Sequence, residues 1–136
     1  MKALAIFIFA LVGQRPHEPD GIWQHIDAIF AATENEEERR VLAVIALHET
    51  WFDLRSQTPP FGLTERLQRG LPRLSVAASA PVALRVLRYL RGVCASVRAP
   101  SWGATLGRFH HGVRGVPQGC YPDRLALIEV ARAGVR

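Results

Sequence analysis

A chain of 136 residues, 49% hydrophobic and 21% charged, is long enough to bury a core and too apolar to remain disordered. Two cysteines, Cys94 and Cys120, exclude a dense disulfide scaffold and a cysteine-built metal centre, and they lack the Cys-x-x-Cys spacing of redox sites. The net charge of +5 hides an asymmetry: residues 1–60 sum to −4 and residues 61–136 to +9, but 16 of the 17 basic residues are arginine, which reads as biased usage on solvated faces, so no nucleic-acid partner is expected.

In chain order, Met1-Lys2 followed by apolar residues 3–12 has the charged start and apolar middle of a secretory signal, and is too short to span a bilayer comfortably. Two readings stay open for residues 1–13, a signal and a first buried helix; the signal implies a periplasmic or secreted protein. Residues 14–19, polar and holding Pro16 and Pro19, read as a linker, which leaves residues 20–136 as one folded domain.

Asp20 can cap a helix over residues 20–32 whose apolar face carries Ile22, Trp23, Ile26, Ile29 and Phe30. Thr33-Glu34-Asn35-Glu36 has the spacing of a capping box, and Glu36, Glu37 and Glu38 suit the positive end of the helix that follows. Residues 41–47 are apolar on every face, which predicts a buried central helix closing near Glu49 or Trp51. Residues 53–60 then form a loop ended by Pro59-Pro60, and a short helix is expected over residues 62–69. Ser79 with Pro81 predicts the start of a helix to about Val97, Ser101 caps one over residues 102–110, and the last helix runs over residues 122–133 after a glycine-rich loop. Strand signals are scarce, so the predicted fold is mainly α.

Glu49 is the residue with chemistry in prospect. It leaves an oily helix at the negative end of the helix dipole between aromatic neighbours, and each of these conditions favours a protonated carboxyl able to act as a general acid. His48, one residue earlier, points about 100° away and reads as a packing residue. Asp53 reads as a loop cap. Adjacent His110 and His111 have no Cys or carboxylate at ligand spacing, so no metal and no cofactor is expected. Cys94 and Cys120 read equally well as a bond and as two buried thiols.

Three elements occur in order: His48-Glu49-Thr50-Trp51-Phe52, then Phe61-Gly62-Leu63, then Leu106-Gly107-Arg108-Phe109-His110-His111-Gly112, with Tyr121 in the following stretch. Their order and approximate separation resemble the lytic transglycosylase and goose-type lysozyme superfamily over residues 20–133. The departures are Thr64-Glu65 where that family continues Gly-Leu with Met-Gln, and Phe109 and His110 where it has Tyr and Asn. The resemblance implies a compact single-domain lysozyme-like helical fold around a buried helix ending at a catalytic glutamate. It implies cleavage of the β-1,4 bond between N-acetylmuramic acid and N-acetylglucosamine in peptidoglycan, by a lytic transglycosylase acting as a monomer with Glu49 as single acid/base. Thr50, Phe61, Gly62, Leu63, Glu65, Phe109, His110 and Tyr121 are its substrate-binding candidates. The alternatives are a hydrolytic lysozyme and a non-catalytic peptidoglycan-binding module.

Overall fold

The structure, a computed structural model, describes residues 1–63, 73–111 and 119–136, which form six α-helices and a 3-10 turn with no strand among the described residues. The chain gathers into two compact units, Met1–Ala83 and Leu84–Arg136.

In the first unit, α1 (Lys2–Val12) is apolar almost all round and turns the stripe Leu4, Ile8 and Val12 inward. It packs on both α2 and α3, so this segment contributes to the same core as the helices after it. No described helix is long and apolar enough to cross a membrane. α2 (Pro19–Ala32) starts earlier than expected: Pro19 takes the first turn, Glu18 is the cap residue, and Asp20 lies inside the helix. Ile22, Ile26 and Ile29 are fully buried, whereas Trp23 at 45% exposure faces outward beside Phe9.

α3 (Glu36–Thr50) is capped by Asn35, whose side chain accepts from the Glu38 N–H. Thr33, expected in that role, donates its hydroxyl to the Glu38 carboxylate at 2.7 Å instead. Arg39 locks the α2–α3 turn by lying over the Phe30 ring and donating to the carbonyls of Phe30 and Thr33. Residues 41 to 47 are all buried, as a central helix requires, each large side chain contributing about 1.5–3 kcal/mol of transfer free energy. Trp51 ends the helix in the left-handed region at φ 54°, its N–H returning to the Leu47 carbonyl.

The 3-10 turn Pro60–Gly62 follows the loop and packs on α3. The remainder of the short helix predicted over 62–69 lies outside the described residues. α4 (Val76–Ser96) begins a turn before the predicted Ser79–Pro81 start: the Ser75 hydroxyl accepts from the Ala78 N–H, and Pro81 sits inside the helix.

The second unit takes the later part of α4, then α5 (Trp102–His111) and α6 (Arg124–Ala133), which pack on each other. Ser101 caps α5 through the Ala104 N–H, and Asp123 caps α6 through the Ala126 N–H. Cys94 and Cys120 are joined in a disulfide with Cα atoms 5.4 Å apart, which decides between the two readings of these cysteines.

Candidate functional site

Each unit holds part of the residues singled out from the sequence. In the first, Glu49, Thr50, Phe61, Gly62 and Leu63 come together where the 3-10 turn packs on the end of α3. Gly62 has φ +64°, and a Cβ built on it would lie 2.5 Å from Cδ of Glu49 and 2.7 Å from its Oε2. The carboxyl group of Glu49 therefore rests on the bare Cα of Gly62, a close approach that no other residue type permits. Glu49 itself is half-buried.

The neighbours of Glu49 build the socket more than they reach from it. Phe61 and Leu63 are wholly buried, and Phe61 holds φ 60°, a conformation that favours glycine. Thr50 is buried and donates its hydroxyl to the Ala46 carbonyl at 3.1 Å, within its own helix. His25 of α2, not anticipated from the sequence, lies edge-on to Phe52 and tilted against Phe61. Its Nδ1 donates to the Gly21 carbonyl at 2.7 Å, and burial, only partly opposed by that bond, lowers its pKa and keeps it neutral. Asp53 accepts from the Arg55 N–H through Oδ1, closing the turn after Trp51. Glu65 lies outside the described residues.

In the second unit, Phe109, His110 and Tyr121 surround the α5–α6 contact. Both ring nitrogens of His110 face carboxylates: Nδ1 donates to Asp123 at 2.9 Å, and Nε2 stands 2.6 Å from Glu129. At that distance Glu129 acts on the ring both as an acceptor facing Nε2 and as a neighbouring charge. Burial pulls the His110 pKa down, but Glu129 and then Asp123 outweigh it and hold the ring at about 8, an imidazolium at neutral pH. Asp123 is also partly desolvated, yet the Ala126 N–H and His110 set its pKa below the ordinary value. Glu129 is 1% exposed, so the cation is the charge that makes its burial tolerable. His110 thus has its donors committed within the fold. Phe109 is half-buried, and Tyr121 is exposed with its ring near His111.

A cavity of about 590 Å³ also opens in the first unit, between the segment ahead of α2 and the turn after α3. Arg15 and Trp51 form one wall, with the Arg15 guanidinium carbon 3.7 Å from the indole centroid. Glu49 does not line it. Neither Arg15 nor His17 was signalled by the sequence, because the stretch holding them reads as a linker until it folds back on residues 50–55.

No family model, no curated protein and no solved structure matches this chain.

Proposed function

We propose that the protein is a peptidoglycan-cleaving lytic transglycosylase in which Glu49 is the acid and then the base. What supports this reading is the approach of the Glu49 carboxyl to Gly62, which brings together the first two elements of the family resemblance although 12 residues separate Glu49 from Phe61. The carboxyl is half-buried at the C-terminal end of a buried helix, the position that this reading asks of a general acid.

Glu49 gives its proton to the glycosidic oxygen as the bond from the muramyl C1 breaks, and N-acetylglucosamine leaves with that proton. The carboxylate then accepts the proton of the muramyl 6-hydroxyl, whose oxygen bonds to C1 and closes a 1,6-anhydro ring. Atoms balance without water, so no second carboxylate is needed at hydrolytic spacing. The Cys94–Cys120 bond supports work in an oxidising compartment, which agrees with export to the wall.

The test is mass spectrometry of fragments released from purified wall by the intact protein. Anhydro-muropeptides are expected, and Glu49→Gln is expected to lower release by about 10²–10⁴-fold. Unchanged release by Glu49→Gln would end the assignment. Reducing ends would turn it into a hydrolytic lysozyme, and retention on the wall without release into a binding module.

A further inference from the structure

The cavity beside Trp51 combines features that the cleavage step leaves unused. Trp51 is 37% exposed although it caps α3 at φ 54°, and Phe52 follows at φ 58°. Two consecutive aromatic residues in the left-handed region cost about 1 kcal/mol or more each, and such strain collects where a side chain is being aimed at something. Over the indole face lies the guanidinium of Arg15. A cation–π contact of this kind takes up the charge over the ring and leaves the guanidinium N–H groups able to match a carboxylate edge.

The other charges of the cavity are already committed. Arg55 donates to Glu18 at 2.6 Å, and the Asp53 carboxylate accepts the Arg55 backbone N–H. The His17 ring gives Nδ1 to the Arg15 carbonyl at 2.9 Å, which fixes the backbone that carries Arg15. Arg15 is therefore the cation of this cavity with no carboxylate partner among the described residues. The contact with Trp51 gives Arg15 a position in the cavity wall, which lowers the ordering that binding would cost.

From this geometry we infer that the Arg15–Trp51 cavity is a carboxylate-binding subsite, with room at about 590 Å³ for a peptide-sized or sugar-sized group bearing that carboxylate. The inference rests on the wall-glycan reading of Glu49, because it takes the ligand to be a substituted glycan strand. Such a strand offers the carboxylate from two sources: the peptide attached to muramic acid, and the lactyl group left when that peptide is absent. Either one presents two oxygens to the guanidinium edge, with the apolar part of the group against the indole.

The experiment uses the full chain carrying Glu49→Gln, so that ligand survives, and measures affinity by calorimetry for three probes. They are the wall disaccharide with its peptide, the same compound with the peptide carboxylates amidated, and the disaccharide freed of peptide so that the lactyl carboxylate is bare. At least one carboxylate-bearing probe is expected to bind about tenfold more tightly than the amidated one. Adding Arg15→Gln removes that preference, Arg15→Lys restores it only in part, and Arg85→Gln on exposed α4 surface leaves it intact. Preference for the first probe assigns the peptide as source, and preference for the third assigns the lactyl group. Equal affinity for all three, or a preference indifferent to Arg15→Gln, overturns the subsite while leaving cleavage untouched. Binding of none, together with no cleavage by the unaltered protein, overturns the wall reading and the subsite with it.

Discussion

Gly62 is the residue on which the candidate acid depends most directly. Gly62→Ala adds a Cβ into the Glu49 carboxyl at a positive φ, so the acid must move or the turn must open. We expect a loss of about 1–3 kcal/mol in urea unfolding and a fall in wall cleavage larger than that loss of folded protein can explain. Gly92→Ala is the opposite case. Gly92 is exposed inside α4 with nothing within 4 Å of a built Cβ, so alanine should stabilise by about 0.5–1 kcal/mol, read as a higher unfolding midpoint. The two substitutions are chemically identical, and the sign of each effect is set by backbone angle and neighbour.

Among the elements, α1 and the disulfide invite the plainest measurements. Ile8→Ala empties a fully buried position on α1, the helix that packs on both α2 and α3, and should cost about 2–5 kcal/mol by denaturant unfolding. Cys94 and Cys120 are separated by 26 positions and close a loop that includes α5. Replacing both by serine should cost the second unit about 3–4 kcal/mol, seen as faster amide exchange in α5 and α6. The helices themselves were legible because their apolar residues recur at helical spacing, and residues 41–47 stand out by being apolar on all sides. Their starts were less so. Thr33 and Asn35 can both cap α3, as can Ser75 and Ser79 for α4, and caps differ by only about 1 kcal/mol. The choice falls to tertiary partners: Thr33 is drawn to the Glu38 side chain, leaving Asn35 the helix end. The Glu49 and Gly62 elements could be read from their order in the chain. The Arg15–Trp51 wall could not, because it needs residues about 36 positions apart to meet. His110 was read as facing substrate, and Glu129, an acid within the apolar pattern of the last helix, was the available sign of a buried partner.

For the molecule as a whole, two histidines set opposite limits on pH. The His110 pKa is raised to about 8 in the folded chain, so its contribution is complete below the unfolded value near 6.5 and is lost as pH rises through 8. The effect is felt in the second unit, which holds His110, Asp123 and Glu129. His25 is shifted downward, so the folded first unit holds fewer protons there than the unfolded chain and loses stability as pH falls below about 6.5. Unfolding free energies measured in urea from pH 5 to 9 should therefore decline on both sides of a maximum near pH 6–7. His110→Gln should flatten the alkaline limb, and His25→Gln the acidic one. A profile unchanged by His110→Gln would mean that Asp123 and Glu129 do not hold the ring as a cation.

The packing of α1 has a consequence for what else can hold that helix. Leu4, Ile8 and Val12 are at once part of the most continuous apolar stretch of the chain and a wall of the first unit's core. Any carrier or targeting factor that grips that stretch competes with α2 and α3 for the same side chains. A helix gripped in that way cannot at the same time complete the first unit's core, so binding of α1 by another protein and folding of the first unit exclude each other.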